Sequence, residues 1–462
     1  ATFMLLLDIT VVNVALPEIR EQLDASLTDL QWVVDAYALA LAAFLLLTGS
    51  LADRVGRRLV FTGGLVVFVI ASILCGLAGT PEVLNAARAL QGLGGAAMFA
   101  TSLALIAQAF QGPERATAIG AWGATIGAAV AIGPLVGGVC TETLGWESIF
   151  FLNVPIGAFG VFIALRFVAE SKDARGRRID WAGATAFSAG LFALVYALVR
   201  GNALGWDSAE IVGCLVAAAL LLVGFLLFEL AVPDPTFDLR LFRNRSFNGV
   251  SIAAFGLSAA MFAMFLYLTL YVQNQLEYSP LEAGLRFLPL TLVSFAVAPL
   301  TARLAERGDA RVFFGIGLTL VGAGLLLMRL IEPGSSWTVL LPGFIVAGAG
   351  VGCTNPIIAS VAVGVVEPRE AGMASGINST FRQVGIATGI AALGAVFQSR
   401  IESRTPGGQD GELLSTIPLD EVPPPLRDAV HAGFVGALDD ILLLGALVAF
   451  ASAAAAVALV RR

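Results

Sequence analysis

Runs of about 20 residues without charge recur along the whole of this 462-residue chain, and that recurrence constrains the fold more than any other feature. A helix needs about 20 apolar residues to cross a hydrocarbon layer. Cutting at charged, proline-rich or glycine-rich breaks gives runs at about 3–19, 31–51, 59–79, 84–109, 116–139, 149–168, 180–200 and 209–230. After a polar segment come runs at about 247–272, 283–302, 311–331, 338–363, 371–397 and 433–460, making fourteen predicted spans. The 58% apolar content, 13% charged content and mean hydropathy of +0.86 exceed what a soluble core of this length needs. The expected fold class is an all-α integral membrane protein embedded in a lipid bilayer. Residue 1 is not Met, so the start of the first span is expected to be missing. No basic segment precedes the first run, which argues against a cleavable signal peptide.

The net charge of -7 says little about partners, because charge in a membrane protein matters by its side of the bilayer. Nucleic acid is not implied. With the N-terminus inside, eighteen Lys and Arg fall at cytoplasmic ends and six at outer ends, leaving Arg88, Arg286 and Arg382 within spans. The positive-inside rule therefore predicts that both termini are cytoplasmic. One long outer loop is expected at about 398–432, with the lone histidine, His431, in it. Cys75, Cys140, Cys214 and Cys353 form no metal-binding pattern, so no metal site and no Ser/His/Asp triad is expected.

Chemistry is sparse in such a chain, which makes each ionisable residue inside a span informative. The stretch LLLDITVVNVALPEI, Leu5 to Ile19, carries Asp8 where a membrane helix should have no charge. It reads as a proton or cation site, the bland alternative being an Asp fixed by a neighbouring helix for packing. Arg88 cannot shed its proton, so it needs a carboxylate or carbonyl partner and can lower the proton affinity of a nearby Asp. With Asp8 it is the candidate pair for proton coupling, and a fixed structural ion pair is the alternative. Asp35 in QWVVDAYAL lies near the outer end of span 2, about 6 Å inside if that span starts near Gln31.

Several motifs carry a family resemblance. GSLADRVGRR, with Gly49, Asp53, Arg54, Gly56, Arg57 and Arg58, resembles the loop between spans 2 and 3 of the major facilitator superfamily. In that family the loop latches the cytoplasmic gate, which implies a gating role for these residues. GAAVAIGPLVGG, with Gly127, Gly133, Pro134, Gly137 and Gly138, resembles the family's antiporter motif in span 5. Its small residues allow close helix approach, and Pro134 permits a bend. LNAARALQGLGG places Arg88, Gln91 and Gly92 as the family's RxxqG does. Leu51, Ala52, Asp53 and Arg54 recur as Leu304, Ala305, Glu306 and Arg307 after span 10. That repeat predicts a six-helix bundle at 1–168, a two-helix insert at 169–246 and a second six-helix bundle at 247–462.

LDITVVNVALPEI together with WESIFFLNVPIG is similar to the fourteen-span drug:proton antiporters, the branch that includes EmrB and QacA type exporters. The resemblance implies proton-coupled export of lipophilic, often cationic, small amphiphiles across a bacterial cytoplasmic membrane, by a monomer using the proton gradient and no cofactor. It places the branch's acids on Asp8 and Asp35, with Asp35 able to receive a cationic drug. SGINSTFRQVGIATG resembles the branch's span 13 motif, so Asn378, Arg382 and Gln383 are candidate substrate contacts, joined by Asn355 in span 12. Span 10 has no acid between Arg286 and Thr301, which puts dication handling in doubt. A dedicated exporter of one endogenous product is the rival reading. A membrane-embedded enzyme would need a cluster of His, Asp or Cys at a membrane face, which this chain lacks.

Overall fold

The computed structural model describes residues 2–110, 112–172, 180–232, 237–305, 308–366, 371–405 and 417–461. Within helices the side chain of Asp53 and the surroundings of Gly127 lie outside the described residues, as do Glu306 and Arg307 altogether. Among the described residues all regular structure is helical. The helices are α1 (Thr2–Leu23), α2 (Leu27–Val55), α3 (Arg57–Gly76), α4 (Pro81–Ala109), α5 (Gly112–Leu144), the short α6 (Ser148–Phe151) and α7 (Asn153–Phe167). They continue as α8 (Trp181–Leu204), α9 (Ala209–Ala231), α10 (Arg245–Leu270), α11 (Pro280–Ala305), α12 (Ala310–Met328), α13 (Leu341–Gly364), α14 (Ala371–Arg404) and α15 (Arg427–Leu459). Thirteen helical stretches among the described residues are long and apolar enough to cross a membrane, with α6 and α7 forming one of them. The 33-residue α5 is the fourteenth long helix.

Helix ends depart from the sequence expectation where polar residues cap rather than break. Ser26 and Asp29 form a reciprocal capping box, so α2 begins at Leu27 and not at Gln31. Asp35 then stands eight residues in, about 12 Å from the helix start. The outer loop is shorter than 398–432, because α14 runs on to Arg404 and α15 begins at Arg427. Arg400 and Arg404 both reach Asp440 Oδ2 on α15, at 3.1 and 3.0 Å, so the last turns of α14 pair with α15. His431 is therefore helical and buried, not in a loop: its Nε2 accepts from Gly334 N at 3.2 Å, and Nδ1 lies 3.0 Å from Gln275 Oε1.

One packing scheme recurs in both halves. In the first, α1 packs on α5, α2 on α4, and α3 on α4 and α7; in the second, α10 packs on α14, α11 on α13, and α12 on α13 and α15. The halves meet along two seams, α5 with α11 and α2 with α14. The α5–α11 seam is glycine-lined, and its approach is close enough that added side chains would collide, while on the α2–α14 seam Gly394 gives space to the Gln31 side chain. A Cβ on Gly284 would stand 2.3 Å from the Pro134 carbonyl oxygen, and one on Gly138 2.7 Å from Leu281 Cα. The insert is asymmetric: α8 packs on both α2 and α14, whereas α9 packs chiefly on α8. Val212, Val216, Leu220, Val223, Leu227 and Leu230 of α9 are exposed, a stripe that suits lipid and not water.

Gly284→Val should lower the thermal unfolding midpoint in detergent by the equivalent of about 1–3 kcal/mol, the usual cost of overpacking. Gly213→Val on the open face of α9, where a Cβ meets nothing within 4 Å, serves as the control. An unchanged midpoint for Gly284→Val would show that this seam parts without cost.

Candidate functional site

Asp8 and Arg88 meet at the centre of the first bundle. Arg88 Nη1 donates to Asp8 Oδ2 and also to Gln91 Oε1 at 2.7 Å, while Nε donates to the Val33 carbonyl at 2.9 Å. The other carboxylate oxygen accepts from Gln91 Nε2 at 2.7 Å and Asn153 Nδ2 at 3.1 Å. Gln91 also donates to Ser72 Oγ at 2.9 Å, and the guanidinium lies 4.4 Å from the Tyr37 ring centroid. Arg88 and Gln91 are three apart on α4 and share a face, which is why one helix supplies two donors to one carboxylate. Asp8 is 4% exposed, Arg88 and Asn153 1%, and Gln91 is fully buried. Five helices are thus tied to one ion pair. Asn153 and Ser72 are members that sequence reading did not assign, although Asn153 sits inside the motif WESIFFLNVPIG.

Asp35 is the opposite case. It is fully buried, yet neither carboxylate oxygen has a hydrogen-bond partner among the described residues. One turn before it, Gln31 Nε2 donates to the Tyr267 hydroxyl at 3.1 Å across the α2 side of the seam. A residue four along a helix keeps the same face, so Asp35 follows Gln31 toward the second half. Tyr37, two positions on, turns instead toward α1 and donates to the Leu5 carbonyl at 3.3 Å.

The span 13 residues divide. Asn378 Nδ2 donates to the Val250 carbonyl of α10 at 3.4 Å. Gln383 is buried with its Oε1 unpartnered, and it shares the α14 face of Gly394, where a Cβ would stand 2.3 Å from Gln31 Nε2. Asn355 Oδ1 is buried and unpartnered too, but its face is that of Gly348 and Gly352, which abut α11. The structure does not bring Asn355 to the α10 face of α14. Arg286, expected within span 10, lies over the Tyr278 ring at 3.4 Å and donates to the Glu282 carbonyl at 2.9 Å.

The turn at Gly56 has φ +136, which only glycine adopts without strain. Glu170 caps the helix that follows: its oxygens accept from Arg58 N at 3.0 Å and Leu59 N at 3.1 Å, and Arg57 N donates to the Ser171 carbonyl at 3.0 Å. Arg58 Nη1 adds a bond to the Val168 carbonyl at 3.2 Å, Arg54 is exposed, and Gly49 faces Ala100. Glu170 was not predicted; an acid within a basic loop segment was its one signal.

In α5, Gly133 abuts Thr10 and Gly137 the Val11 carbonyl, both on α1, while Gly138 and Pro134 face α11. At the far end of this helix Glu142 Oε2 accepts from Ser279 Oγ at 2.6 Å and Leu281 N at 3.1 Å. Gln273 Nε2 donates to the Val14 carbonyl at 2.7 Å. With Gln31 and Tyr267, these bonds between the halves gather toward the end that carries Asp24 and the 276–279 turn.

A sequence model described as Major Facilitator Superfamily matches residues 1–390. Multidrug resistance protein Stp of Mycobacterium tuberculosis is 37% identical, covering 99% of this chain and 88% of that one. The tetracenomycin C resistance and export protein of Streptomyces glaucescens is 31% identical, covering 98% and 88%. Among solved structures, a bacterial homolog of the human lysosomal transporter Spinster shares the fold at TM-score 0.64 and 18% identity, covering 100% of this chain and 95% of that one.

Arg88→Gln should cost about 3–5 kcal/mol of stability, because it leaves a buried carboxylate without its counter-charge. Adding Asp8→Asn should restore most of that loss, read from thermal midpoints of the single and double variants in detergent. If the double variant is no more stable than Arg88→Gln alone, the two charges are not energetically coupled.

Proposed function

Since the chain belongs to the Major Facilitator Superfamily and is a multi-pass membrane transporter, we propose that it is a proton-coupled efflux pump for amphiphilic drugs, exchanging proton and cargo at Asp35. The relatives named for multidrug resistance and for tetracenomycin C export support the efflux part. The observation that carries the exchange part is the contrast between the two acids. Asp8 already has three donors, so a proton must first displace an arginine there. Asp35 has none, and an ionised carboxylate without donors at membrane depth is costly. A proton supplies the missing partner in one state, and a donor or positive group of the cargo supplies it in the other.

In this reading residues 1–168 and 247–462 are the two rocking bundles, with 169–246 as the insert. Both termini are cytoplasmic in a bacterial cell membrane, by the distribution of Lys and Arg. The Asp24 end then faces outward. The bonds from Glu142, Gln31 and Gln273 that close that end support an inward-open state, in which cargo enters from the cytoplasm or inner leaflet. Outward opening breaks them and exposes Asp35 to the proton-rich side. The Gly56 turn, with Asp53, Arg54, Arg57, Arg58 and the Glu170 cap, is the counterpart at the cytoplasmic end. The Asp8–Arg88 network holds the first bundle rigid while it tilts. Membrane potential contributes about 2.3 kcal/mol per charge per 100 mV.

A single-product exporter is the second reading, favoured by the relative named for tetracenomycin C. A panel of unrelated amphiphiles separates the two, since a dedicated pump clears one of them.

Ethidium added to purified protein in weakly buffered medium should release protons, and Asp35→Asn should abolish the release while Asp8→Asn spares most of it in folded protein. Undiminished release from Asp35→Asn overturns the assignment. Loss in Asp8→Asn alone would move the exchange to the ion pair.

A further inference from the structure

Three arginines lie inside the spans, and two of them are matched. Arg88 has Asp8, Gln91 and the Val33 carbonyl; Arg286 has Glu282 and the Tyr278 ring. Arg382 has no hydrogen bond, ion pair or ring contact among the described residues. It is half-buried in the middle of α14.

Lipid does not explain this. Arg382 lies four residues after Asn378, three before Gly385 and seven before Gly389, so all four share one helix face. That face meets α10: Asn378 bonds the Val250 carbonyl, and Cβ atoms on Gly385 and Gly389 would stand 2.5 Å from Phe255 O and 2.7 Å from Ala259 Cα. The guanidinium keeps its charge at any accessible pH, and a charge at this depth needs a partner. The acids of the spans do not provide one. Asp8 is paired, Glu282 lies beside Arg286, Glu142 accepts from Ser279 Oγ and Leu281 N, Glu229 accepts from Phe237 N, Asp439 pairs with Arg329, and Asp440 pairs with Arg400 and Arg404. From the level where Gly394 meets Gln31, Arg382 is twelve residues inward on α14 and Asp35 four inward on α2, which separates them by about 12 Å along the seam.

We propose that Arg382 docks an acidic oxygen group of the cargo, so that the transported class includes amphiphiles bearing a carboxylate or phenolate and not lipophilic cations alone. This rests on the efflux reading above and adds the chemistry of its site. With Asp35 protonated, Arg382 is the charge within the spans that has no protein partner among the described residues, and its planar fork matches two oxygens of one carboxylate. A donor group at the other end of the same molecule reaches Asp35. A cargo carrying only positive charge meets Arg382 as a like charge, and simple cations are the poorer fit.

The test uses membrane vesicles holding the whole chain, with fluorescein as the anionic probe and ethidium as the cationic one, together with dye binding to purified protein. Wild type should export and bind both. Arg382→Gln should lower fluorescein export about tenfold more than ethidium export, because a charge-assisted bond is lost. Arg382→Lys, which keeps the charge but not the fork, should fall between. Wild-type protein that exports ethidium but neither binds nor exports fluorescein overturns this inference and leaves the efflux reading standing. Equal losses for both dyes in Arg382→Gln overturn it as well, by making Arg382 a structural or coupling residue. Export of neither dye by wild type overturns the efflux reading and this inference with it.

Discussion

An ionised group at hydrocarbon depth must find a partner, and the organisation of this chain follows from where those partners are. The Asp8–Arg88 pair is fully supplied: Gln91, Asn153, Ser72, Tyr37 and the Val33 carbonyl complete its shell. Such a network ties five helices together, because moving α1 from α4 strands buried charges and moving the others strips hydrogen bonds from the buried network. The first bundle is therefore suited to moving as a body. Asp35, on the α2 face toward the second half, and Arg382, on the α10 face of α14, lack that support.

Rigid bodies that rock also need surfaces that can separate. Glycines provide them here: Gly138 and Gly284 bring the α5 and α11 backbones together, and Gly394 on the other seam makes room for the Gln31 side chain. Contacts of that kind are numerous but individually weak. The stronger, directional bonds between the halves are those of Glu142, Gln31 and Gln273. Halves that are hydrogen-bonded to each other toward one end are expected to part more readily from the other.

Much of this was legible in the sequence because a membrane imposes few solutions. Spans follow from apolar runs, and the pairing of Asp8 with Arg88 is within reach once two charges must be buried in one bundle. What escaped was of two kinds. Helix ends shifted where polar residues stabilise a terminus: Ser26 and Asp29 look like a break and act as a cap, and Arg400 and Arg404 look like a loop and bond to Asp440. The same ambiguity misplaced His431. Contacts between distant segments were the second kind. Glu170 finds the N-terminus of α3 more than a hundred residues upstream, and Asn153 finds Asp8 across the bundle. Asn355 illustrates the converse, a polar residue in a glycine-rich helix whose face only the packing of α13 on α11 reveals.

The insert breaks the symmetry of the two seams, and that bears on how the halves can move. α8 lies across α2 and α14: Trp32 packs against Phe192 and Tyr196, Ser188 reaches the Ala43 carbonyl, and Asn202 donates to the Ala395 carbonyl at 2.6 Å. The α5–α11 seam has no such strap among the described residues. In the proposed rocking mechanism, a motion that keeps α8 on both partners would bend about the α2–α14 side and open wider at α5–α11. Span 7 thus adds contacts across one seam that the other lacks among the described residues. The acid without a hydrogen-bond partner among the described residues, Asp35, belongs to the helix on the strapped side.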